Sequence, residues 1–333
     1  MLLAMENSLI KSRERFRELI LDFLWRQWGA LGVAGSARGN DAWIIDPEAL
    51  LLATTTFGRC DPRLFDEVID WLNTNSQAIN LQRLQNLGRH LGQRSVLNGL
   101  AEHLAQRATN TKWRSFLREA KPVTVGELLF PGVPISGETD ELFARHGWQR
   151  GPLKLRQLSR SPDPNYSTNL LLKLRSLFGV QARAEVMAYL LAFESGHPAE
   201  MSERLAYFPR TVQTTLNDME RSGHVLAGRQ GREKRFWLRR EEWRFLITWH
   251  VPEGEFPHWI DWAPRFAALE TVWQFLNKPE LESSTPGVQA IELRASLEKM
   301  SPAFLRENIQ ASPGASGAEF VMSVLGSFKK LLE

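Results

Sequence analysis

The stretch GHVLAGRQGREKRFWLRR, Gly223 to Arg240, carries the reading of the whole chain. Val225 to Ala227 predicts one strand, Gln230-Gly231 a tight turn, and Arg235 to Leu238 the return strand, with Phe236 and Leu238 inward. Helices are predicted immediately upstream. In Arg183 to Phe193, Val186, Leu190 and Phe193 form one stripe at helical spacing with Met187 and Leu191 beside them, which marks a core helix. Ser195-Gly196-His197-Pro198 breaks it, and a shorter helix from Ala199 turns Met201, Leu205 and Phe208 inward before Pro209 stops it. The third helix, Pro209 to Ser222, buries Val212, Leu216 and Met219 at i, i+4 and i+7, and Gly223 is placed as its left-handed cap.

Two polar faces remain. The third helix shows Arg210, Thr211, Gln213, Thr214, Asn217 and Arg221, and the hairpin shows Arg229, Arg232, Lys234 and Arg235, side chains able to reach base edges or phosphates. As they stand, Met201-Ser202-Glu203-Arg204-Leu205, Pro209-Arg210-Thr211-Val212, the run Leu216, Met219, Glu220, Gly223, Val225, and Gly231-Arg232-Glu233-Lys234-Arg235-Phe236 resemble the winged helix-turn-helix regulators of the MarR and ArsR type. The resemblance spans residues 179–240. It implies that the third helix reads a major groove, with Arg210, Thr211, Gln213, Thr214 and Asn217 at bases. It implies backbone contacts from Arg221, Arg229, Arg232, Lys234 and Arg235. Double-stranded DNA is then the partner, and a homodimer is expected because one such module reads only a few base pairs.

Composition sets the wider frame. The 333 residues are 43% hydrophobic and 24% charged, enough apolar material for two or three globular domains. MLLAMENSLIKSRERFRELILDFLW interleaves Arg and Glu with its apolar positions, so it predicts an amphipathic helix with neither a signal-peptide core nor a membrane span, and a cytoplasmic location. The net charge of +3 is unevenly spread: residues 81–118 carry +6, 145–183 carry +7 and 221–240 carry +6, so the rest of the chain is acidic. Such segregation favours a polyanion partner, although any one block can equally be a solvated face.

The fold class expected is mainly α: a central winged helix-turn-helix, three helices plus a small β-wing, flanked by helical N- and C-terminal domains. Residues 1–120 form the first region. Asp46-Pro47 and Asp61-Pro62 each supply a cap and a first-turn proline, and Asn80 caps a helix with Leu81, Leu84, Leu87 and Leu91 on one stripe. These three helices are either simple packing or a second, degenerate helix-turn-helix exposing Gln82, Arg83, Gln85, Asn86 and Arg89. Residues 121–178, rich in Pro and Gly at two places, predict a linker or basic connector. Residues 241–333 are acidic, carry Trp243, Trp249, Trp259, Trp262 and Trp273, and predict helices over 264–276, 288–299 and 318–332.

Catalytic patterns do not hold up, so no enzyme, cofactor or metal is expected. Gly29, Gly32, Gly35 and Gly39 suggest a nucleotide loop only superficially, since no strand precedes them and no Lys-Ser or Lys-Thr follows. The seven histidines show no H-E-x-x-H spacing. Glu67 and Asp70 share a helix face as acids on a solvated helix do, and the single cysteine, Cys60, reads as a core thiol. Two other functions stay open. One is a regulatory or antitoxin-type interaction subunit whose tryptophan-rich 241–333 segment binds a partner protein. The other is a sensor with a tryptophan-lined pocket for a small effector.

Overall fold

The computed structural model describes residues 2–35, 42–106, 111–117, 123–247, 256–310 and 314–332; Gly39, Trp249 and His250 lie outside them. The described chain is mainly helical, with two sheets of two strands each. Helix α1 (Leu2–Ala30) turns Phe16, Ile20, Phe23, Leu24 and Trp28 inward. Helix α2 (Pro47–Phe57) is buried along its whole length, which is why it reads apolar all round. The Asp46 carboxylate caps it by accepting the Ala49 N–H at 3.0 Å. Helix α3 (Pro62–Asn75) starts in the same way on Asp61, and α4 (Leu81–Leu87) starts on Asn80. Helices α5 (Arg94–Ala105) and α6 (Thr111–Phe116) complete this part.

Residues expected to be a linker carry ordered elements. Strand β1 (Val123–Leu128) pairs in parallel with β2 (His146–Gln149), and the short α7 (Glu141–Ala144) precedes β2. The extended segment that follows is fastened to α3. Asp70 accepts the backbone N–H groups of Gln157, Leu158 and Ser159 at 3.0 to 3.2 Å, and Glu67 pairs with Arg156. Glu67 and Asp70 are therefore buried, not a solvated acidic face, because a connector without its own hydrogen-bond ladder needs acceptors for its N–H groups. Gly32 closes the far end: it has φ +101°, and a Cβ there would sit 2.5 Å from the Arg160 carbonyl oxygen.

Helices α8 (Leu170–Phe178), α9 (Ala182–Ala192), α10 (Pro198–Leu205) and α11 (Pro209–Arg221) lead into the antiparallel strands β3 (Leu226–Gln230) and β4 (Glu233–Trp237). A 3₁₀ turn, Arg240–Leu246, follows, and then α12 (Trp262–Leu276), α13 (Pro279–Glu282), α14 (Pro286–Leu297), α15 (Pro302–Asn308) and α16 (Gly317–Lys330).

Two hydrophobic cores result. Helices α12 to α16 share the first with α1 to α7, through pairs such as Phe23 with Phe266 and Phe57 with Trp273, so the two ends of the chain build one helical body. The second core takes residues from α8 to α11, both hairpin strands, Ile44, Leu246 and Phe256. Of the C-terminal tryptophans, Trp262 is buried with its indole N–H on the Ile44 carbonyl at 2.8 Å, while Trp243 and Trp259 pack against the second core. They serve as packing groups.

A candidate nucleic-acid interface

Helix α9 supplies the floor of this region, with Val186, Met187, Tyr189, Leu190 and Leu191 inaccessible to solvent. Helix α10 ends at Ala206 in the left-handed conformation (φ 56°, ψ 42°). Phe208 is then extended, as a residue before proline must be, and α11 leaves in a new direction. Val212, Leu216 and Met219 bind α11 to the core, and Gly223 at φ +77° reverses the chain after it. The hairpin closes through the two residues Gly231-Arg232, Gln230 facing Glu233, so the strands run to Gln230 and begin again at Glu233 rather than at Arg235 as the sequence suggested. Gly231 has φ +64°, the value that the first position of a primed hairpin turn asks for. The hairpin is anchored at its far end by reciprocal N–H to carbonyl bonds between Gly196 and Phe236, at 2.9 and 3.0 Å.

The ten polar residues singled out in the sequence divide into two groups. Arg210, Thr211 and Thr214 on α11, and Arg229 and Arg232 at the hairpin tip, are exposed and pair with no described acid. The others are engaged within the protein. Gln213 donates its amide to the Asn217 side chain at 3.0 Å, and Arg221 meets Asp218 at 3.3 Å. Lys234 meets Glu220 at 2.5 Å, which ties the hairpin to α11. Arg235 reaches Ser195 Oγ at 3.0 Å and Glu200 at 3.2 Å, and Tyr189 donates its hydroxyl to the same Glu200 at 2.9 Å. Burial raises the Glu200 carboxyl, but hydrogen bonds from Tyr189 and Arg235 outweigh that and hold it below the ordinary range. Glu200 is thus the group that fixes β4 to α10. Only its place in the first turn of α10 marks it in the sequence.

Helix α4 holds the turn before α11 from behind. Arg83 donates from Nε to the Leu205 carbonyl at 2.9 Å, Asn86 to the Ala206 carbonyl at 3.0 Å, and Asn80 to the Tyr207 hydroxyl at 2.6 Å. The suggestion that Arg83 and Asn86 belong to an exposed reading face is overturned: Arg83 is 1% exposed and sits in an ionic knot. Its guanidinium binds Asp46 at 2.5 and 2.6 Å and Glu48 at 2.7 Å, and Arg175 from α8 binds Glu48 at 2.7 Å and Glu185 of α9 at 2.6 Å. Burial opposes these charges, yet Arg83 and the Ala49 N–H pull the Asp46 carboxyl below its usual range, and the carboxylates drive both arginines upward. The knot rivets the second core to the helical body. Its five members are scattered from residue 46 to residue 185, so no local motif announces it.

The chain matches no protein-family model, no curated protein and no solved structure. Among the described residues no helix is long and apolar enough to cross a membrane, and no cluster of three or more His, Cys, Asp or Glu is placed to hold a metal ion.

Proposed function

We propose that the protein is a sequence-specific DNA-binding transcriptional regulator of the winged helix-turn-helix type, acting in the cytoplasm as a homodimer. In this reading α11 enters the major groove, with Arg210, Thr211 and Thr214 meeting base edges and the Gln213–Asn217 pair presenting a fixed amide edge. Arg229 and Arg232 contact phosphates, with Arg221 beside them, while Lys234 and Arg235 hold the hairpin at its angle to α11. The observation that carries the reading is the exposure of Arg210, Arg229 and Arg232 on one helix-and-hairpin surface without described acidic partners, whereas Arg83, Arg150, Arg156 and Arg175 of the other two basic blocks are paired with acids of the protein itself. Unpaired cations on a helix-and-hairpin surface release counterions from a phosphate backbone at little desolvation cost. The packing of Trp243, Trp259 and Trp262 leaves the interaction-subunit alternative without a supporting observation.

The test is fluorescence anisotropy of the full chain against DNA from its own upstream region and against a scrambled duplex, over a salt series. Tight binding to one duplex that persists at high salt is expected. Equal and steeply salt-dependent binding to both would reduce the function to polyanion affinity, and no binding to either would overturn the reading. Light scattering on the free and DNA-bound protein checks the dimer.

A further inference from the structure

A cavity of about 400 Å³ lies behind the turn between α10 and α11, walled by α4, α10, α12 and the turn itself. Its size falls in the range of small-molecule sites. It exists because α12 presents small groups there: Ala263 and Ala267 are one turn apart on the same face, so neither position carries more than a methyl. Leu87 of α4 and Leu91 just beyond it are buried and supply branched aliphatic walls. Phe208 completes the lining. Instead of turning inward with Met201 and Leu205, it is 58% exposed, so an aromatic face stays open beside the cavity.

The polar groups of the lining narrow the class of ligand. Asn86 spends its amide on the Ala206 carbonyl at 3.0 Å and accepts from Gln82 at 3.4 Å, and the Tyr207 hydroxyl takes the Asn80 amide at 2.6 Å. Among the described residues, no lining side chain keeps a buried polar atom without a partner. A ligand that brings donors or acceptors inside would therefore lose its water and gain nothing in return. Arg89, His90 and Glu203 are exposed, and the first and last are opposite charges with no ion pair among the described residues. The mouth thus favours neither sign.

We infer that this cavity is a binding site for a flat, uncharged aromatic molecule of two or three rings, lodged between Phe208 and the methyl wall of Ala263 and Ala267. A fused or linked ring system is favoured over an alkyl chain because it covers the open Phe208 face and has few internal rotors to freeze on binding. The bound molecule touches the turn from which α11 departs. The inference uses no part of the DNA-binding reading, and its test contains no DNA.

Fluorescence titration of the full-length protein with the neutral dye N-phenyl-1-naphthylamine decides it. The dye is expected to brighten on binding at one equivalent per chain with micromolar affinity. Its sulfonated counterpart, 8-anilinonaphthalene-1-sulfonate, should bind at least about tenfold more weakly, and 1-decanol should displace the dye at least about tenfold less well than naphthalene. Ala267→Leu fills the cavity from a helical position that leucine suits, and lowers dye affinity about tenfold or more. Phe208→Ala, a change at an exposed position, lowers it by about three- to tenfold and decides the matter alone if Ala267→Leu shifts the melting temperature. Bound dye should also slow hydrogen exchange at the Thr211 N–H, which bonds the Phe208 carbonyl at 2.9 Å. No brightening, equal affinity for the sulfonate, equal displacement by 1-decanol, parent affinity in Phe208→Ala or unchanged exchange at Thr211 would overturn the proposal.

Discussion

Arg83 and Arg175 lie inside the molecule with every guanidinium nitrogen engaged, whereas Arg229 and Arg232 stand on a hairpin tip with no acidic partner. All four come from basic stretches of similar net charge. What separates them is the company each keeps after folding. The first pair faces Asp46, Glu48 and Glu185, brought in from distant helices, and so spends its charge on cohesion between two cores. Of the second pair, Arg232 sits in the two-residue turn and Arg229 near the end of β3, both exposed and with no described acid beside them, so their charge stays available to a polyanion. A cluster of cations in a sequence therefore identifies a binding surface only where the fold withholds acids from it.

The largest effect expected from this contrast comes from cutting the buried side. Arg175→Met leaves Glu48 and Glu185 buried with their main counter-charge gone, and breaking such a group by removing one partner costs about 3–5 kcal/mol. In urea denaturation the midpoint should fall steeply while the slope stays that of two-state unfolding. A loss below about 1 kcal/mol would mean that the cores are held by apolar contact alone.

Acid should act on the same knot next. Because Asp46 has its pKa lowered in the folded protein, the stability it contributes is fully present above its unfolded value near 3.8 and is lost as pH falls through the lowered folded value. Thermal melts are expected to show a decline beginning below about pH 4. Asp46→Asn keeps a competent helix cap and should flatten that limb. An unchanged acid limb in this variant would assign the titration to other carboxylates.

The uneven legibility of the sequence follows the same division. The α11 stripe of Val212, Leu216 and Met219, the caps at Asp46, Asp61 and Asn80, and the hairpin around Gly231 are local patterns, set by residues within a few positions of each other. Those appear where periodicity and turn chemistry place them, apart from the shift of the strand ends. The parallel pairing of β1 with β2, the union of α12–α16 with the N-terminal helices, and the burial of Arg83 depend on partners far along the chain. An exposed and a buried arginine on a short helix read identically until the facing acids are known. The exposure of Arg229 and Arg232 was legible for the opposite reason, since a glycine-turned tip in a polar run has nothing to bury it.

On the exposed side, Arg232→Ala should leave stability within about 0.5 kcal/mol of the parent. Its effect belongs in DNA binding: about a tenfold loss at low salt on specific and scrambled duplexes alike, with the salt slope shallower by about one unit. Thr214→Ala should instead weaken only the specific duplex. If Arg232→Ala alters neither affinity nor slope, the hairpin tip does not touch the backbone, and the contrast between the two arginine pairs loses its functional half.

The smallest effect lies at the boundary between the two regimes, where Lys234 is exposed but paired with Glu220 at 2.5 Å. Pairs of this kind contribute about 0–1 kcal/mol to stability, because solvent screens them and ordering two long side chains costs entropy. Glu220→Gln keeps a hydrogen-bond acceptor for the ammonium while removing the acid, so the hairpin should stay docked on α11 and the melting temperature should barely move. The freed charge then joins Arg229 and Arg232, and non-specific DNA affinity is expected to rise by about two- to threefold at low salt, an increase that vanishes at high salt. Unchanged affinity would place Lys234 on the side of the hairpin turned away from DNA and leave it a purely structural cation. A gain that persists at high salt would point instead to Glu220 itself lying against a phosphate in the complex.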